Sequence, residues 1–263
     1  MVFPLSDDNS DRTQFPVVTV SLIVINVLVF VLLQGAGMNE GFTMAFSTVP
    51  KEIVTGTDLV TLDRQIEIET EEGPQTVTAP GLKKTPVSVY LTLLTSMFMH
   101  GSIMHIAGNM WFLWIFGDNI EQDLGRIRYV LFYLLAGLLA SLTHVLFNAS
   151  GPSAEVPSLG ASGAISGVMG AYLVLHPHRR VTVLLFRFVT QVPGYVAVGI
   201  WFAFQIVSGW LDRGQGGVAY GAHIGGFIAG AALAFPFMLG RPRKENRGYV
   251  QKREYDKGIH WGR

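Results

Sequence analysis

Ser162 sits in a glycine-rich turn, Gly160-Ala161-Ser162-Gly163, at the head of a short apolar run. His223 lies further along in a second apolar run, Tyr220-Gly221-Ala222-His223-Ile224-Gly225-Gly226. A serine hydroxyl needs a base to become a nucleophile near neutral pH, and an imidazole is the usual one. Acyl transfer also needs donors aimed at the developing oxyanion. His105 and Asn109 are four residues apart and so share a helix face. The backbone N–H groups at the head of the Ser162 helix supply further donors. Neither the Ser162 run nor the His223 run contains Asp or Glu. The residues therefore predict a Ser–His dyad rather than an acid-completed triad. Metal is the rival use of the histidines. His100 and His105 have no cysteine or carboxylate beside them, and no H-E-x-x-H occurs. His144, His176 and His178 are scattered at run ends. No metal and no cofactor are expected.

The elements that would carry these residues are membrane helices. Only 14% of the 263 residues are charged and 49% are apolar, against about 25% charged in a soluble domain. The net charge is zero, so no basic surface for nucleic acid is expected. There are no cysteines, which removes disulfides and thiolate chemistry. Asp7, Asp8 and Asp11 precede the first apolar run, the wrong charge for a cleaved signal. Six spans are predicted near Val17–Gln34, Ile103–Gly117, Ile127–Phe147, Ser162–Leu175, Pro193–Val207 and Tyr220–Leu239. The run Val181–Val189, broken by Arg187, reads as an interfacial lead-in to the fifth. The chain divides into an N-terminal tail (1–16), a six-helix domain (17–240) and a basic tail (241–263). With both termini in the cytoplasm, 14 of the 19 Lys and Arg residues fall on the inside. That orientation predicts an integral, multi-pass protein of a cell (inner) membrane whose site opens outward. The long, acidic first outer loop alternates apolar and polar over Leu62–Thr70, and Thr76–Pro86 reads as a second extended piece, so a small hairpin is expected.

Depth brings the polar residues together. At a rise of about 1.5 Å per residue, Ser162 lies about 22 Å above its cytoplasmic boundary, His223 about 27 Å and His105 about 20 Å. All three reach the outer half of the bilayer. Gly160, Gly163, Gly167 and Gly170 form one stripe, and His223, Gly226 and Gly230 another. Small residues let membrane helices approach closely. A glycine stripe alone, or a lone intramembrane serine, is as readily structural. Matched depth and facing glycines together favour chemistry.

These residues resemble the rhomboid intramembrane serine proteases over most of Val17–Leu239. The likeness rests on His100-x4-His105-x3-Asn109, Gly160-Ala161-Ser162-Gly163 and Ala222-His223-x2-Gly226, in that order. Gly117-Asp118-Asn119-Ile120-Glu121 is similar to the family's loop after the second span. The resemblance implies an all-α, six-transmembrane-helix bundle with a long extracytoplasmic first loop. It implies hydrolysis of peptide bonds in or beside transmembrane segments of single-span or other membrane proteins. Ser162 would be the nucleophile, His223 the base, and His105, Asn109 and the Ser162 N–H the oxyanion donors. His100 would hold the first loop, with Gly160, Gly163, Ser166 and Gly226 supporting the site. Gly209–Gly217 is similar to the family's mobile cap. Where some members have a Tyr four residues after the serine, this chain has Ser166, and Leu91 and Thr92 stand where some bacterial members have Trp-Arg. The alternatives are a catalytically inactive rhomboid-like protein that binds membrane clients, and a transporter with a histidine proton relay. The absence of internal repeats and intramembrane carboxylates disfavours the transporter.

Overall fold

The computed structural model describes residues 2–70, 73–211 and 219–241. The expected basic tail lies outside these residues, apart from Arg241. So does most of the expected cap, of which Gly209, Trp210 and Leu211 are described.

In chain order the elements begin with strand β1 (Val2–Asp7) and helix α1 (Val17–Leu28), which runs into a five-residue π segment, Val29–Leu33. The first loop holds short helices α2 (Glu40–Phe46) and α3 (Pro50–Thr55), the hairpin β2 (Arg64–Thr70) and β3 (Gly73–Ala79), and α4 (Thr92–Thr95) between two 3-10 turns. The long helices α5 (Ile103–Leu124), α6 (Arg126–Phe147) and α7 (Ser162–Leu175) follow. A second hairpin, β4 (Arg180–Leu185) and β5 (Phe188–Pro193), leads into α8 (Gly194–Leu211) and α9 (Tyr220–Met238). Each expected span is therefore helical. Of these, α6, α8 and α9 are individually long and apolar enough to cross a membrane. Val89–Phe98 and α5 together make a fourth candidate, bent by 78°, while Val17–Leu33 and α7 are shorter apolar helices.

The short helix α7 occupies the centre. Every residue from Gly163 to Tyr172 is buried, and the helix touches α5, α6, α8 and α9. Its glycines allow this. A Cβ at Gly170 would run into the Phe227 carbonyl, one at Gly226 into the Gly163 carbonyl, and one at Gly230 into the Gly167 carbonyl. Two glycine faces thus bring the α7 and α9 backbones into direct contact, the close approach that small residues provide where lipid supplies no hydrophobic drive. Tyr129, Phe132 and Tyr133 of α6 and Leu113 and Phe116 of α5 complete the core, each at most 1% exposed.

Three expectations change. The expected all-α class gives way to a mostly helical fold that also carries a three-stranded and a two-stranded β-sheet. Residues 117–121 do not form a loop, because α5 continues to Leu124. Apolar character stops at Gly117, but the polar residues beyond it have partners within the protein. The Glu121 carboxylate accepts from the backbone N–H of Val18 (2.9 Å) and Thr19 (2.7 Å) and from the Thr19 hydroxyl (2.8 Å). It thereby satisfies the free donors at the start of α1, where Pro16 offers no side-chain cap. Asp118 pairs with Arg12 at 3.0 Å.

The lead-in at 181–189 is a β-hairpin. It pairs antiparallel with β1 to give a sheet ordered β1-β4-β5. Val181 and Val183 alternate inward at 0% exposure, which fits the two-residue period of a strand. The expected hairpin in the first loop is present, with Arg64 opposite Ala79 and Thr70 opposite Gly73, but its second strand covers Gly73–Ala79 rather than the expected Thr76–Pro86.

Candidate active site

Ser162 is the first residue of α7 and is partly exposed, so its hydroxyl stands at the end of a buried helix rather than inside it. The turn before it depends on Gly160, whose φ of +131° disfavours any side chain. Its N–H is fixed by the Ser96 carbonyl at 2.9 Å. α9 presents His223 one turn above the glycine contact, and His223 Nε2 lies 2.8 Å from Ser162 Oγ. The other ring nitrogen, Nδ1, lies 2.7 Å from Gln205 Oε1 on α8. Trp201, one turn back on α8, sits with its ring centre 6.1 Å from that of His223.

His105, in the first turn of α5, faces the same place. Its Nδ1 accepts from the Gly101 N–H at 3.3 Å, which leaves the proton on Nε2. The space a Cβ at Gly160 would take is bounded by His105 Nε2 at 3.0 Å and Ser162 Oγ at 3.6 Å. A glycine thus keeps open a gap between an imidazole donor and the hydroxyl. Asn109 is 8% exposed, and one of its amide hydrogens goes to the His105 carbonyl at 2.8 Å.

His100 is fully buried, with its ring edge-on to His105 at 5.2 Å. Its backbone is clamped at both ends by Gln34, which accepts from its N–H (2.8 Å) and donates to its carbonyl (3.0 Å). Ser166 donates to the Ser162 carbonyl at 2.6 Å, so its hydroxyl is spent on the helix backbone. Gly163 and Gly226 serve the α7–α9 contact.

Ser162, His223, His105, Asn109, Ser166, Gln205 and Trp201 line one cavity of about 630 Å³, within the size range of ligand-binding pockets. Gln205 and Trp201 were not singled out in the sequence, and His144, expected only as a run-end histidine, joins them. His144 of α6 lines the cavity, with Nδ1 3.3 Å from Asn148 Nδ2. Gln205 is 7% exposed. The signal for Gln205 was a lone carboxamide in an apolar span, which asks for a partner as an ionisable group does.

The arrangement of hydroxyl, imidazole and a flanking imidazole–carboxamide pair invites comparison with known proteins. A family model described as Rhomboid domain matches residues 88–240. The chain is 35% identical over 154 residues to Rhomboid protein 1, mitochondrial, of Saccharomyces cerevisiae, covering 57% of this chain and 42% of the relative. It is 35% identical over 144 residues to Rhomboid protease GluP of Bacillus subtilis, covering 55% and 26%. It is 29% identical over 200 residues to RHOMBOID-like protein 1 of Arabidopsis thaliana, covering 71% and 45%. The chain spans less than half the length of these relatives. The matched stretch runs from the start of the bent pair before α5 through the end of α9, and by that match and its apolar helices the chain belongs to the rhomboid family of multi-pass integral membrane proteins.

Proposed function

We propose that the protein is an intramembrane serine endopeptidase that cleaves peptide bonds in or next to transmembrane segments of its substrates. The observation that carries this reading is the 2.8 Å approach of His223 Nε2 to Ser162 Oγ inside the cavity. Ser162 Oγ attacks the scissile carbonyl as His223 Nε2 takes its proton. The oxyanion is held by the Nε2–H of His105, the free amide hydrogen of Asn109 and the Ser162 N–H. His223 then protonates the leaving amine, and water, with His223 again as base, releases the acyl group. Gly160 keeps the oxyanion gap open, and His100, locked by Gln34, backs the His105 ring. Gly163 and Gly226 hold α7 and α9 in register, with Ser166 fixed along α7. No cofactor is required by these steps.

With α1 and α7 added to the four candidate spans, the bundle has six and puts both termini on one side of a cell membrane, the cytoplasmic side. The Lys and Arg asymmetry of the loops favours a site that opens outward. The substrate segment must be extended to expose its carbonyls, so helices that unwind easily are the favoured class. The relative from Bacillus subtilis is named a protease, in keeping with this reading.

The test is cleavage of a single-span substrate co-reconstituted in liposomes, with the cut mapped by mass spectrometry. The wild type should cut near the outer boundary of the span. Ser162→Ala and His223→Ala should each lose at least about 10³-fold in rate. Cleavage that survives both substitutions, or a folded wild type inert toward several substrates, would remove the protease reading and leave that of an inactive client-binding protein.

A further inference from the structure

Gln205 is the one carboxamide in α8, and it is turned inward. It is 7% exposed, while its neighbours Phe204 and Ile206 face outward at 54% and 45%. An amide in such apolar surroundings is retained where it has a partner. Here the partner is His223 Nδ1, on the side of the ring away from Ser162. We propose that Gln205 is a positioning residue that fixes the tautomer of His223, so that the nitrogen facing Ser162 is the one free to take a proton. This rests on the reading of Ser162 and His223 as nucleophile and base.

An amide oxygen can only accept a hydrogen bond. With Oε1 toward the ring, Nδ1 carries the proton and Nε2 keeps its lone pair for the Ser162 hydroxyl. When Nε2 takes that proton as the Oγ–C bond forms, the imidazolium still donates Nδ1–H to the same oxygen. When Nε2 gives the proton to the leaving amine nitrogen as the C–N bond breaks, the starting tautomer returns. One amide orientation therefore serves every protonation state of the cycle. The opposite orientation would place an N–H against Nδ1 and leave no lone pair toward Ser162. The orienting role that a buried carboxylate plays in soluble triads is filled here by a neutral group. It adds no charge to an apolar bundle, where charge is costly. Trp201, four residues earlier on the same helix face, brings its ring centre to 6.1 Å from that of His223 at a tilt of 39°, so α8 places a second group beside the ring.

Among the described residues, the other titratable groups facing His223 are His105 from α5 and His144 from α6, which share its cavity, and Tyr220 from its own helix at 6.4 Å. α7, α8 and α9 contain no carboxylate.

The experiment uses the full chain in two readouts. Cleavage kinetics across pH are measured for wild type, Gln205→Leu and Gln205→Glu, with Ser162→Ala as the inactive control. The His223 tautomer is read from imidazole ¹⁵N shifts in wild type and Gln205→Leu. Gln205→Leu should lower kcat about ten- to a hundredfold with KM unchanged, and should lose the pure Nδ1–H tautomer. Gln205→Glu should recover kcat with the acid limb of the pH profile moved to higher pH, because a carboxylate holds the imidazolium. An unchanged tautomer in Gln205→Leu overturns the proposal whatever happens to kcat, since a loss of rate alone is what a packing residue would give. If the wild type cleaves nothing, the protease reading falls, and the tautomer measurement still decides the role of Gln205.

Discussion

A serine hydroxyl 2.8 Å from an imidazole nitrogen is useful only if the reacting carbonyl can approach both it and the oxyanion donors. In the proposed mechanism Gly160 controls that approach. Its φ of +131° strains any L side chain, and a methyl there would sit 3.0 Å from the His105 ring. Gly160→Ala should therefore cut the cleavage rate by about tenfold or more while the thermal midpoint in detergent falls only a few degrees. A variant with wild-type rate would show that the gap is not where the oxyanion forms. The convergence of Ser162, His223 and His105 was legible in the sequence, because a polar side chain stands out in an apolar span and its depth follows from helical rise. Gln205 stands out in its apolar span in the same way, but nothing local says that residue 205 of one helix meets residue 223 of the next.

The element that organises the site is the crossing of α7 and α9. The backbone of Gly167 lies against that of Gly230, and the backbone of Gly163 against that of Gly226. Gly230→Val must force the helices apart and should cost about 2 kcal/mol or more, read as a lowered unfolding midpoint with cleavage lost in parallel. A Gly230→Val protein of wild-type stability would mean that the two helices are not held by this contact. The glycine stripes were legible from spacing alone. The length of α5 was not. Hydropathy ends that helix at Gly117, whereas the helix runs on because Asp118, Asn119 and Glu121 are satisfied by the N-terminal segment, 102 or more residues away for the bonds from Glu121. Those partners cannot be inferred from local pattern.

Across the whole molecule, the N-terminal residues form the strand β1 and tie the β4–β5 hairpin to the helix ends. Asp7 closes this junction. It accepts from Asn119 of α5 at 2.6 Å and from the Tyr172 hydroxyl of α7 at 3.0 Å. Burial and then the nearby Asp118 carboxylate push Asp7 from 3.8 up to about 7, against the opposing pull of Arg179. The folded junction therefore holds the proton more tightly than the unfolded chain does. The stability this contributes is fully present below pH 3.8 and is lost as the pH rises through about 7. Hydrogen exchange of the β1 amides, corrected for intrinsic rates, should show better protection at pH 5 than at pH 8. Asp7→Asn should flatten the difference, and a difference that persists in Asp7→Asn would place the titration elsewhere. The β2–β3 hairpin could be read from its alternation because its two strands are adjacent in sequence. β1 could not, since Asp7 pairs with Val181, which is remote in sequence.

The central claim is that His223 activates Ser162. It is tested most directly by treating the reconstituted protein with a serine-directed fluorophosphonate and mapping the adduct by mass spectrometry. The account predicts a single adduct on Ser162 of the wild type and none in folded His223→Ala. Labelling of Ser162 that is equally fast in His223→Ala, or an adduct on a different serine, would contradict it.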